Sequence, residues 1–222
     1  HPYFSIGDQI IESHQVHNEV EPEVSRARAI ELLGLVGIPD PASRIDSFPH
    51  QFSGGMRQRV MIAMAIACKP EILLADEPTT ALDVTVQAQV LELISDLRNE
   101  FGMSMVIVTH DLGIVAGYCD RIAVMYAGEI VELANTADLF ANPRMPYTEA
   151  LLNSIPKLTD SSGAQMRSIE GAPPDPVSVT KGCFFAPRCS YATDRCRNEH
   201  PDLVDAGNGR MYRCFFPMGT GK

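Results

Sequence analysis

Residues 72–83 read ILLADEPTTALD: four apolar residues, two adjacent carboxylates, a Pro-Thr-Thr segment and a closing aspartate. An apolar run of that length bounded by turn formers is the signature of a buried strand, here Ile72 to Ala75. Asp76 and Glu77 then fall at the strand's carboxyl end, where open α/β sheets carry their chemistry. Working outward, Val86, Val90, Leu93, Leu97 and Phe101 mark one face of a following helix. Met105 to Val108 and Ile122 to Tyr126 are two further apolar or β-branched runs. Strands alternating with helices predict a parallel α/β sheet. Ala127-Gly128 reads as a turn before Glu129 to Leu133, so the sheet is expected to finish with a hairpin.

Upstream, Phe52 to Arg59 reads FSGGMRQR and runs into VMIAMAIA, which predicts a helix from Met56 to Cys68 buried on most sides. In Ser53-Gly54-Gly55 the glycines let an anion approach the backbone, the serine offers a hydroxyl, and the helix points its positive end outward. On its own such a serine is more often an ordinary helix cap. Ala29, Leu32, Leu33 and Val36 recur at helical spacing between Val24 and Val36, and Gly37-Ile38-Pro39 stops that surface helix. His110 follows directly on the second strand run, in the string Val108 to Asp111 (VTHD).

These strings, in this order, resemble the second half of an ATP-binding cassette (ABC) ATPase. Ser53, Gly54 and Gly55 match the core of that family's signature sequence, with Phe52 and Met56 in place of its usual leucine and glutamine; Gln58 is grouped with them. The resemblance implies that the signature contacts the γ-phosphate of ATP held by the opposite subunit. Ile72 to Glu77 resembles a Walker B motif, implying that Asp76 holds Mg²⁺, through water, and that Glu77 is the general base for the attacking water. Thr80 to Asp83 resembles the D-loop, which in the family runs across the dimer interface; Asp83 is also placed to cap the next helix. His110 resembles the switch histidine. No G-x-x-x-x-G-K-[ST] loop occurs in the 222 residues. The chain thus reads as a fragment that alone neither binds nor hydrolyses ATP appreciably, and the closing Gly219-Thr220-Gly221-Lys222 reads as a frayed terminus.

With 45% apolar residues the chain is long enough for a core and more than one unit. A net charge of −10 argues against a nucleic-acid surface. No apolar run approaches a membrane span and the first residues do not form a signal peptide, so a soluble chain is expected. Cys68 and Cys119 lie in apolar stretches, whereas Cys183, Cys189, Cys196 and Cys214 crowd the end, after a segment holding Pro173, Pro174 and Pro176. A stretch as short as that from Lys181 needs a staple. Zinc sites use close cysteine pairs that are absent here, and the wider spacing suits a [4Fe-4S] cluster better than zinc.

The string GCFFAPRC, then Cys196 and YRCFFP, behind a Pro-rich segment, closely resembles the C-terminal extension of the ATPases of oligopeptide and dipeptide importers, some of which carry a [4Fe-4S] cluster. HPYFSIG at the start resembles the segment after that family's Q-loop. The fold class expected is α/β: a partial ABC-type nucleotide-binding domain, parallel sheet core plus helical subdomain, with a small Cys-rich, loop-rich C-terminal extension. Its expected divisions are a helical-subdomain segment (1–52), the rest of the ATPase core (53–153), a Pro-rich linker (154–180) and a Cys-rich domain (181–222). The resemblance implies ATP and Mg²⁺ as ligands and a structural or regulatory cluster on the four late cysteines. It implies as partners a second ATPase subunit, identical or paralogous, two membrane permease subunits and, indirectly, an external solute-binding protein, with no nucleic acid. The expected place is the cytoplasmic face of the inner membrane. Two rival readings are a soluble ABC ATPase of repair or translation and a non-catalytic, metal-stapled regulatory fragment.

Overall fold

The computed structural model describes residues 1–155, 169–172, 174 and 181–219. Most of the expected Pro-rich linker and the last three residues lie outside these. The chain divides into two compact units, His1–His110 and Asp111–Lys222.

In the first unit, α1 (Ile6–Gln15), α2 (Pro22–Leu35), the short α3 (Pro41–Arg44) and α4 (Gly54–Ala65) precede β1 (Ile72–Asp76), α5 (Val84–Phe101) and β2 (Ser104–Val108). Each start is written locally. Ser5 caps α1 through the Asp8 amide while the Asp8 carboxylate accepts from the Ser5 amide, a reciprocal capping box. Pro22 opens α2, where its missing N–H costs nothing. Ser53 Oγ accepts from the Met56 amide to cap α4, and Asp83 Oδ1 accepts from the Val86 amide at 2.9 Å to cap α5. Gly102, at φ 65°, ends α5 in the left-handed conformation.

One core joins these elements. Ile6 and Ile10 of α1, Ala29, Leu32 and Leu33 of α2, Val60, Ile62 and Ala63 of α4, Leu73 of β1, and Val90, Ile94 and Leu97 of α5 are buried together. The face expected on α5 is the face that packs, joined by Leu91 and Ile94. On α4 the expected burial is broken by a stripe of Arg57, Met61 and Ala65, four residues apart and exposed. β1 and β2 pair in parallel from Ile72↔Ser104 to Asp76↔Val108, with α5 as the crossover. Leu73 turns into the core, while Ile72, Leu74, Val106 and Val108 remain exposed.

The second unit holds α6 (Leu112–Tyr118), β3 (Arg121–Tyr126), β4 (Glu129–Asn135), α7 (Thr136–Ala141), α8 (Pro146–Asn153), α9 (Asp194–Asn198), β5 (Val204–Asp205) and β6 (Met211–Tyr212). The expected hairpin is β3–β4: Ala127 and Gly128, at φ 51° and 82°, are the two left-handed residues that a two-residue turn demands. Its sheet corrects the sequence reading in one respect. β3 does not extend the parallel pair; it belongs to an antiparallel sheet of order β3-β4-β6-β5, in which the other edge of β4 is taken by residues from the chain's far end. Glu132 pairs with Tyr212 and Leu133 with Met211, and the Arg213 amide donates to the Val131 carbonyl at 2.9 Å. The late stretch shares the core of its unit. Phe185 is buried with Ile122, Val124, Tyr126, Val131, Leu139 and Met145, and the Tyr126, Tyr147 and Phe185 rings contact one another edge to face or tilted.

Glu132 locks this sheet to its surroundings. Fully buried, it accepts from the Arg144 amide (2.8 Å), the Met145 amide (2.9 Å) and Arg210 Nη2 (2.8 Å), and Arg210 also donates to the Asn142 carbonyl. Desolvating a carboxylate is tolerable only when its lone pairs are filled in this way.

Candidate functional site

Parallel pairing brings two chain positions 33 residues apart to one sheet end. After Asp76 pairs with Val108, the Glu77 amide continues the ladder by donating to the Val108 carbonyl at 2.8 Å. There Glu77 leaves the strand with φ 44°, a left-handed conformation uncommon for a side chain of its size. The chain then closes a turn in which the Thr80 amide donates to the Glu77 carbonyl at 3.1 Å. Ala81, at φ 66°, is a second left-handed residue in the same loop.

Both carboxylate oxygens of Glu77 are engaged. His110 Nδ1 lies 3.0 Å from Oε1, and the Thr80 hydroxyl donates to Oε2 at 2.7 Å. The Thr80 hydroxyl, then the His110 ring, hold the Glu77 carboxyl below the usual carboxylate range. An ionised carboxylate only accepts, so the contact places a proton on His110 Nδ1 and leaves Nε2 as the second ring nitrogen. The group faces solvent, with side-chain exposures of 44% for Glu77 and 79% for His110, so a reactant can reach it. Asp76 is exposed one residue earlier.

The sequence-predicted residues of this unit are thus not all in one cluster. Glu77 and His110 touch; Asp76 adjoins them through the chain; Asp83 spends one oxygen on the α5 cap. Ser53 likewise caps α4, the plain role open to such a serine, with its own hydroxyl proton still available to donate. Gly55 has a packing reason to be glycine: a Cβ there would lie 2.6 Å from Val86 Cγ1. Gly54 faces Leu82 more loosely, at 3.7 Å from its Cδ2. The start of α4 therefore rests against the loop and first turn that follow β1. Gln58 is half-buried within α4. Thr80, read in the sequence as the start of the D-loop string, was not expected to touch Glu77; the advance sign of that contact is its place three residues after Glu77, inside a segment rich in turn formers.

In the second unit Cys183, Cys189, Cys196 and Cys214 all line one small apolar pocket together with Phe185, Tyr191 and Phe215. All are free thiols. Burial pushes the thiols of Cys183 and Cys189 up, and that of Cys214 up to about 11, where the other three cysteines add to the effect. The Cys183 amide donates to the Cys196 carbonyl at 2.8 Å. Among the described residues no three His, Cys, Asp or Glu side chains come close enough together to hold a metal ion. The donor chemistry suits an iron–sulfur cluster, but the thiols as placed do not form the site.

With this geometry in place, two stretches of the chain match family models of ABC transporters. Residues 3–80 match the family model described as "ABC transporter", and residues 131–196 match "Oligopeptide/dipeptide transporter, C-terminal region". The chain is 50% identical over 217 residues to the dipeptide transport ATP-binding protein DppD of Escherichia coli (strain K12), a match covering 98% of this chain and 66% of the relative. The oligopeptide transport ATP-binding protein OppD of Salmonella typhimurium (strain LT2) is 46% identical, over 98% of this chain and 64% of its own length. The chain thus spans just under two thirds of the length of these relatives. Among solved structures it is similar to the one titled a dimeric, post-hydrolysis state of the ATP-binding cassette MJ0796 bound to ADP and Pi, with a TM-score of 0.54 and 30% identity, covering 61% of this chain and 58% of that one.

Proposed function

We propose that the chain is part of the ATP-hydrolysing subunit of an ABC importer of dipeptides or oligopeptides. The observation that carries this is the Glu77–His110 contact at the sheet end, in a chain similar over nearly its full length to transport ATP-binding proteins. Glu77 accepts the proton of the attacking water, and His110 orients that carboxylate through Nδ1, its Nε2 donating to the terminal phosphate when the ring carries both protons. Asp76, exposed beside them, would hold Mg²⁺, which when bound neutralises charge on the triphosphate. Ser53, Gly54, Gly55 and Gln58 on α4, and Asp83 after the Thr80 turn, serve ATP across the pair of ATPase subunits.

The partners in this reading are a second ATPase subunit, identical or paralogous, two permease subunits and, indirectly, an external solute-binding protein; the net charge of −10 disfavours nucleic acid. The subunit works peripherally at the cytoplasmic face of the inner membrane. Among the described residues no helix is long and apolar enough to cross a membrane. The divisions 1–52, 53–153, 154–180 and 181–222 are assigned as helical-subdomain segment, core, linker and Cys-rich part of that subunit.

The convergence of Cys183, Cys189, Cys196 and Cys214 on one apolar cavity supports a [4Fe-4S] cluster there, ahead of zinc, with a structural or regulatory role. Loading would require the four thiols to lose their protons and draw together. Iron and sulfide analysis with visible absorbance of the protein as purified checks this, and stoichiometric zinc without iron overturns it. The transport reading is checked by uptake of labelled di- and oligopeptides in cells carrying Glu77→Gln: uptake is expected to stop. Normal uptake, or co-purification with ribosomes or DNA instead of membrane permeases, overturns it.

A further inference from the structure

The Thr80 hydroxyl makes a contact that the proposed chemistry has not yet used. Its 2.7 Å bond to Glu77 Oε2 does nothing for the core, since Thr80 is exposed and lies outside the buried cluster of its unit. Nor does it cap a helix: Asp83 does that for α5. What creates the contact is the left-handed backbone of Glu77, which folds residues 77–80 back so that a side chain three positions on meets the carboxylate.

We infer that Thr80 is a positioning residue for the Glu77 base, its hydroxyl holding one carboxylate oxygen while His110 holds the other. A glutamate at a solvent-facing strand end has three side-chain torsions to fix, and a single contact would leave the carboxylate plane free to turn. Two donors on two oxygens fix it, and a second lone pair on each oxygen remains to receive a proton. In the reaction, the water oxygen bonds the terminal phosphorus, its proton passes to Glu77, and the bridging P–O electrons leave with ADP. Orientation of the base is worth most at that step and little to ATP binding, because the Thr80 hydroxyl donates to the carboxylate.

This rests on the ATPase reading, and the test separates the two. In the intact transporter, steady-state ATP hydrolysis is measured for wild type, Glu77→Gln, Thr80→Val and Thr80→Ser. Thr80→Val keeps the shape and removes the donor; kcat is expected to fall about tenfold while KM for ATP stays within about twofold. Thr80→Ser restores the donor and is expected to restore kcat. A wild-type kcat in Thr80→Val, a Thr80→Ser variant as slow as Thr80→Val, or a parallel rise in KM would each overturn the positioning role with the ATPase reading intact. Full turnover in Glu77→Gln would instead remove Glu77 as the base, and the role of Thr80 with it, whereas no hydrolysis by the wild type would remove the ATPase reading itself.

Discussion

Glu77 and Glu132 are the same residue at strands of the two units, and their surroundings divide architecture from chemistry. Glu132 is fully buried and filled by two backbone amides and a guanidinium, so nothing is left over for a reactant. Glu77 is exposed, rests on two side chains that hold no other structural duty, and occupies a left-handed backbone conformation. A carboxylate used to hold a fold takes its donors from the backbone and from a buried cation. One proposed for chemistry, as Glu77 is, takes them from groups that keep it oriented yet reachable.

The sharpest way to break this contrast is to neutralise each carboxylate. Glu77→Gln is expected to lower ATP turnover by about 10²–10⁴-fold in the intact transporter with an unchanged melting temperature; a destabilised, active variant would reverse the assignment. Glu132→Ala strands Arg210 in the interior and is expected to cost about 3–5 kcal/mol of stability by denaturant titration. A midpoint equal to wild type would show that the buried pair is dispensable.

A smaller effect tests whether the Ser-Gly-Gly start of α4 is shaped by packing. Gly55→Ala drives a methyl against Val86 Cγ1 and is expected to cost about 1–3 kcal/mol. Adding Val86→Ala should recover most of that stability, a non-additive pair. If turnover stays lost in the double variant while stability returns, Gly55 serves a ligand as well as the packing. The mildest effect concerns the cysteine cavity in the metal-free, reduced protein. The Cys214 thiol, raised by burial to about 11, should alkylate slowly at neutral pH and faster as pH rises toward that value. Its raised value means that the fold favours the protonated thiol, so this contribution to stability is present below the ordinary thiol range and is lost as pH climbs through about 11. Rapid alkylation near neutrality would contradict the buried placement.

The elements most legible in the sequence were those whose signals are local. The ILLAD strand, the Asp83 cap, the apolar face of α5 and the Ala127-Gly128 turn depend on neighbours within a few residues. The Glu77–His110 meeting spans 33 residues yet was legible too, since two parallel strands joined by a crossover helix align their carboxyl ends. α1 is announced only by the Ser5 and Asp8 capping box, a signal two residues wide. The pairing of β6 with β4 was beyond sequence reading: two short residues, Met211 and Tyr212, carry no strand periodicity of their own. Thr80's contact was hidden for a different reason. It depends on the sign of one backbone angle at Glu77, which no side-chain pattern records.

That far-end pairing has a consequence for synthesis. The hairpin β3–β4 is complete once Asn135 has been made, yet the residues that cover the β4 edge arrive with Met211 and Tyr212. At ribosomal speeds of about 5–20 residues per second the edge stays open for roughly 4–15 s, a template for any other extended chain. Slow codons placed between these two segments should lengthen that window and raise the share of nascent protein that aggregates.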